Sequence, residues 1–208
     1  MDKTPIVKTL RWQDETETQA FAQALAARPA LRSATLELQG DLGAGKTTLV
    51  ESLVMELRHR GLRVSVVKHA HHRFDIDYPG KDSYRHREAG AFEVVVASNR
   101  RLVLQRQFER ETELSVHHLI AELYDGVDWV LVEGFKESDL LKIEVWRAAS
   151  QLPARYLEDD FVVAIATDSP SDLPEATQRP VLDLNDPYAI TDWLLANEDR
   201  FTYHPPLL

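Results

Sequence analysis

An α/β fold, a mostly parallel sheet with helices on both faces, is predicted by three observations. Strand-like apolar runs alternate with helix-like stretches from residue 34 to residue 196. Several runs, such as Trp129-Val-Leu-Val132, are apolar throughout, as strands covered on both faces are. The segment Gly40-Asp-Leu-Gly-Ala-Gly-Lys-Thr47 lies between a predicted strand and a predicted helix, the setting in which a glycine-rich turn cradles phosphate.

The elements follow in order. Residues 6–10 alternate apolar and polar side chains, as a half-buried strand does. Asp14, with Glu17 three residues on, reads as the N-cap of a helix that runs to Ala27 and is ended by Pro29. Residues 34–39 form a strand that runs into the glycine turn. Residues 47–59 are helical, with Leu49, Leu53 and Leu57 on one face and Gly61 as the stop signal. Residues 62–68 form a β-branched strand, 69–80 a polar loop, and 82–89 a short helix closed by Gly90. Residues 93–97 and 102–105 flank Ser98-Asn-Arg-Arg101 as a hairpin. Residues 115–124 are helical. Strands follow at 128–133, 142–146, 161–166 and 181–184, and Pro187 opens a last helix over 187–196.

Composition removes whole classes of function. The 208 residues are 44% hydrophobic and 28% charged, an ordinary globular balance that argues against disorder. Apolar runs such as Phe161-Val-Val-Ala-Ile-Ala166 are too short to cross a bilayer. The first residues lack the apolar core of a signal peptide, so a cytoplasmic location is expected. With no cysteine, disulfides, thiolate metal sites and cysteine nucleophiles are excluded. The net charge of −10 leaves no general basic footprint, so neither a membrane nor direct nucleic-acid contact is expected. Local basic charge does occur at Lys81, Arg85 and Arg87, a segment that could face an anionic partner or simply form a solvated helix face. One domain is expected over residues 1–200, with a strand–helix–strand extension at 1–38 and an extended tail at 201–208.

The segment from Gly40 to Thr47 fits G-x-x-x-x-G-K-[ST], the phosphate loop of P-loop NTPases. Glycines there allow positive φ and let amide groups close around phosphate oxygens, while the helix N-terminus adds the positive end of its dipole. Lys46 would reach the outer phosphates, and the Thr47 hydroxyl would ligate Mg²⁺. The cradle comprises Gly40, Gly43, Ala44, Gly45, Lys46, Thr47 and Thr48. Glu133, at the tip of an apolar strand, is the matching acid that holds Mg²⁺ or polarises water, and Gly134 allows close approach of the γ-phosphate. Catalytic roles therefore fall to Lys46, Thr47 and Glu133.

The segment Lys68-His-Ala-His-His-Arg-Phe-Asp75-Ile-Asp77 admits two functional readings and a plain one. Its histidines and aspartates could form a metal cluster, but their spacing suits no helical ligand pair. A loop meeting the triphosphate, with Asp75 or Asp77 as an outer-sphere Mg²⁺ partner, is more economical. The plain alternative is a polar surface loop. Late in the chain, Asp168 follows a strand where many GTP-binding P-loop proteins place the acid that reads guanine; it could equally cap the loop before Ser169-Pro170.

From Gly43 to about residue 200 the chain resembles the MobB family, the adaptor proteins of molybdopterin-guanine dinucleotide biosynthesis. The resemblance rests on Gly45-Lys-Thr-Thr-Leu49, Val67-Lys-His-Ala-His-His72, Phe74-Asp-Ile-Asp77, Pro79-Gly-Lys-Asp-Ser-Tyr84, Leu131-Val-Glu-Gly-Phe-Lys136 and Lys142-Ile-Glu144. The blocks Lys68-His-Ala-His-His72 and Pro79-Gly-Lys-Asp-Ser-Tyr-Arg85 are far more specific than a phosphate loop. The resemblance implies a small homodimer that binds GTP with Mg²⁺ and hydrolyses it slowly. It also implies partners, the molybdenum cofactor guanylyltransferase and molybdenum-insertion proteins. Residues 8–48, above all Glu37 to Thr48, look instead like the start of TsaE, the ATPase of tRNA threonylcarbamoyladenosine modification. The alternative is thus a TsaE-like ATPase, although TsaE's downstream S/H-P-T-[FY] switch is absent. A small-molecule kinase would need an arginine-bearing lid, and no lid signature is found.

Overall fold

The computed structural model describes residues 33–70, 74–110, 112–123 and 126–206. The strand expected at 6–10, the helix at 14–27, most of the extension at 1–38, and His71 and His72 lie outside the described residues.

Six strands form one parallel sheet. They are β1 (Ala34–Gln39), β2 (Val64–Lys68), β5 (Trp129–Glu133), β6 (Lys142–Trp146), β7 (Val162–Thr167) and β8 (Val181–Asp183), in the order β2-β5-β1-β6-β7-β8. Strands β3 (Glu93–Ala97) and β4 (Leu102–Arg106) pair antiparallel as a separate hairpin, closed by Ser98 and Arg101 as the sequence predicts. The helices are α1 (Lys46–His59), α2 (Asp82–Glu88), α3 (Val116–Ala121) and α4 (Pro187–Ala196). Asp186 caps α4, its carboxylate accepting from the Ala189 amide at 2.9 Å, and Pro187 occupies the first turn, where its missing N–H costs nothing. Helix α3 is shorter than the stretch read from the sequence and starts at its Ser115 cap.

Side-chain alternation divides β1 between two environments. Leu36 and Leu38 face the main core with Ile143, Val145, Ala164 and Ala166, under Leu53 and Leu57 of α1 and Ile190 and Leu194 of α4. On the opposite face, α3 covers Val67, Val130 and Val132, and a second cluster gathers Trp146, Tyr156 and Ile165. The middle of that face is polar. Thr35, Glu37, Gln39, Lys142 and Glu144 are all buried there. Lys142 is satisfied by the Ser138 carbonyl at 2.5 Å and by Asp159 at 3.1 Å. Glu144 accepts from the amides of Arg155 and Tyr156, both at 2.7 Å.

The C-terminal segment is docked. Phe201 is buried against Trp129 and Trp193, Thr202 bridges to Ala34, and the Tyr203 hydroxyl meets His117 at 2.8 Å. Phe201 to Tyr203, the start of the tail expected to be extended, are therefore stitched to β1 and α3. No helix among the described residues is long and apolar enough to cross a membrane.

Candidate functional site: a phosphate loop at the carboxyl edge of the sheet

Ligands of open parallel sheets bind beyond the carboxyl ends of the strands, and the loop after β1 lies there. Gly40 has φ 145°, and a Cβ on it would run into the Val145 carbonyl of β6. Only glycine lets the chain leave β1 so close to its neighbour. Gly43 (φ 81°) and Gly45 (φ 107°) complete the turn, and α1 begins at Lys46.

The Lys46 ammonium folds back onto the loop, donating to the carbonyls of Gly40 at 2.8 Å and Asp41 at 2.7 Å. Burial lowers its pKa, and the nearby carboxylate of Glu133 opposes that shift. Across the loop, the Thr47 hydroxyl donates to Glu133 Oε1 at 2.9 Å. The register of β5 sets this contact, since Glu133 lies beside Leu38 of β1 on one side and Lys68 of β2 on the other. Lys68 Nζ lies 3.3 Å from Thr47 Oγ1 and 3.3 Å from Glu133 Oε2. Gly134 follows with φ 99°, and a Cβ there would lie 3.3 Å from that of His69. The glycine expected to admit a phosphate thus also admits the chain leaving β2.

These groups line a cavity of about 700 Å³. Of the expected cradle, Gly40, Gly43, Gly45, Lys46, Thr47 and Thr48 border it, and so do Glu133 and Gly134. Ala44 instead packs into the core, and its carbonyl accepts from Arg147 Nε at 2.9 Å. Asp168 is not on the cavity wall; it is ion-paired with the same Arg147 at the end of β6.

Two expectations need correction. Asp75 and Asp77, read as outer-sphere metal partners, do not border the cavity. Asp75 takes both arms of the Arg87 guanidinium, at 2.9 and 2.8 Å, which holds its carboxyl down at about 2. Asp77 accepts from the Tyr78 amide and the Ser83 hydroxyl, so both acids close their own loop onto α2. Arg87 of the basic segment is for the same reason engaged within the chain. Among the described residues, no group of three His, Asp or Glu side chains could hold a metal ion. Sequence reasoning missed Lys68 and Arg147. Both are cations at the carboxyl ends of parallel strands, a position the sequence carries, but the partners they meet there come only from strand pairing and loop packing.

A strand–glycine loop–helix unit on a parallel sheet, faced by an acid on the neighbouring strand, defines the P-loop NTPase fold. Within that class, the family model for MobB, "Molybdopterin guanine dinucleotide synthesis protein B", matches residues 35–168. The chain belongs to the MobB family. It is 39% identical over 155 residues to the molybdopterin-guanine dinucleotide biosynthesis adapter protein of Escherichia coli, covering 74% of this chain and 86% of the relative. It is 37% identical over 161 residues to that of Haemophilus influenzae, covering 76% and 86%. The crystal structure of a MobB homologue from Bacillus stearothermophilus superposes with a TM-score of 0.56 at 26% identity, covering 80% of this chain and 99% of that one. The family match begins at residue 35, ahead of the loop. It takes in the stretch from Glu37 to Thr48 that looked like TsaE, and nothing found supports the TsaE alternative.

Proposed function

We propose that the chain binds GTP with Mg²⁺ in this cavity, hydrolyses it slowly, and serves as an adapter in molybdopterin-guanine dinucleotide biosynthesis, as its relatives are named. The observation that carries the reading is the Thr47–Glu133 contact facing the Lys46 loop. A hydroxyl and a carboxylate are hard oxygen donors of the kind Mg²⁺ takes, and loop amides at a helix N-terminus suit phosphate. Mg²⁺ would neutralise charge on the phosphates. Lys46 would leave the Gly40 and Asp41 carbonyls for the outer phosphates, and Glu133 would orient water. Turnover is expected to be slow without a partner, because the Lys46–Thr47–Glu133 set includes neither an arginine finger nor a water-orienting glutamine.

Asp168 is the proposed guanine-reading acid, with Arg147 tying it to the loop at Ala44. The proposed partners are the molybdenum cofactor guanylyltransferase, molybdenum-insertion proteins and a second copy of this chain, in the cytoplasm. Support for the second copy comes from the hairpin. Val95, Val96, Leu102 and Leu104 are exposed on a two-stranded sheet, which is marginal in isolation.

Calorimetric titration with GTP and ATP in Mg²⁺ tests the reading. Wild type should prefer GTP, and Lys46→Ala should lose at least ~100-fold in affinity, as the loss of a charge-assisted phosphate contact implies. Asp168→Asn should erode the preference for GTP; unchanged selectivity would remove the base-reading role.

A further inference from the structure

Glu133 is almost fully buried, and a buried carboxylate demands a positive partner. Two lysines stand near it. The hydrogen bonds of Lys46 go to the carbonyls of Gly40 and Asp41. Lys68 bridges the Thr47 hydroxyl and the free oxygen of Glu133, at 3.3 Å to each. These two oxygens are the pair proposed to hold Mg²⁺. One ammonium and one divalent cation cannot share so small a space, because their charges repel at contact distance.

The three groups differ in freedom. Glu133 belongs to β5, flanked by β2 and β1, and Thr47 to the first turn of α1. Lys68 ends β2, the edge strand among the described residues, and its side chain is 54% exposed. It is the member that can leave without disturbing the core, and it borders the same cavity as the loop. We propose that Lys68 is the resident counter-cation of the Thr47–Glu133 pair, and that its ammonium and the divalent cation occupy that place in turn. The nucleotide-free protein then excludes divalent cations. A triphosphate entering the cavity supplies negative charge that draws the released ammonium away, so metal and nucleotide are taken up together. Lys68 is on this account a positioning residue that couples the two. The inference rests on the nucleotide reading above, but its test does not need nucleotide turnover.

The probe is Mn²⁺, titrated into nucleotide-free protein and followed by electron paramagnetic resonance. Lys68→Met should bind Mn²⁺ at least ~5-fold more tightly than wild type, the size expected for losing a half-exposed ion-pair competitor. Lys68→Arg, which keeps the cation, should stay near wild type. Adding Glu133→Gln to Lys68→Met should abolish the gain. Equal Mn²⁺ affinity in wild type and Lys68→Met, including no binding in either, would overturn the proposal. A merely structural ion pair would lower the unfolding midpoint of Lys68→Met and leave Mn²⁺ affinity unmoved. Mg²⁺-dependent binding of a fluorescent GTP analogue to wild type runs alongside. Its failure would count against the nucleotide reading, separately from the Mn²⁺ result.

Discussion

Glu37 sits fully buried in the middle of β1, with one carboxylate oxygen on the Ser138 hydroxyl and the other without a partner among the described residues. Burial pushes its carboxyl up to about 7, against the opposing pull of the Ser138 hydroxyl and Lys142. The folded protein therefore holds this proton more tightly than the unfolded chain does. The favourable contribution is complete below the ordinary value of 4.5 and is lost as pH rises through about 7. Glu37→Gln keeps the shape and removes the titration. Its stability relative to wild type should rise between pH 5 and pH 8.5 by up to ~3 kcal/mol. Urea unfolding at the two pH values measures this; an equal difference at both would refute it. None of this was legible in the sequence, where Glu37 is one polar residue in an alternating strand. Lys46 and Thr47 were legible because the spacing of the loop fixes what they face. Lys68 was not, since its partner Glu133 lies far along the chain and is brought beside it only by pairing of β2 with β5.

The strand–loop–helix unit from β1 to α1 was readable almost to the residue. Glycine spacing and leucine periodicity are local signals, and the turn needs positive φ. What the sequence did not show is why Gly40 in particular is glycine. The Val145 carbonyl lies where a Cβ would be. Gly40→Ala should cost at least ~3 kcal/mol, since both φ and the contact are wrong and the obstacle is backbone. Thermal unfolding should show a fall of many degrees; a change of one or two would mean that β1 and β6 can part freely. Most of the other described elements shifted by only a residue or two, as with Val162–Thr167 in place of 161–166, while α3 ends three residues early, at Ala121. Such ends are decided by partner strands rather than by their own sequence.

Over the whole molecule, a continuous parallel sheet binds the loop, the acid and Lys68 into one site. The β3–β4 hairpin stands outside that sheet with Val95, Val96, Leu102 and Leu104 exposed. If a second copy covers it, Val95→Glu combined with Leu104→Glu should turn a dimer into a monomer in sedimentation velocity, with the far-ultraviolet circular dichroism retained. Those two residues lie opposite each other across the pair, so the double change puts like charges side by side where the partner must dock. A wild-type monomer, or an undiminished dimer in the variant, would remove the proposed assembly.

By itself the sequence determined the fold class, the phosphate loop, the Lys46, Thr47 and Glu133 roles to be tested, and the family. Each of these rests on residues close together in the chain, or on blocks too specific to arise by composition. The tertiary structure alone decided the strand order and the buried polar middle of the second face. It also decided the capture of Asp75 by Arg87, the tie from Arg147 to both Ala44 and Asp168, and the seat of Lys68 between Thr47 and Glu133. The physical reason is common to all of them. Charge partners and burial depend on which segments fold against each other: strands side by side for most of these contacts, and a loop turned back onto α2 for Asp75 and Arg87, which no local pattern carries.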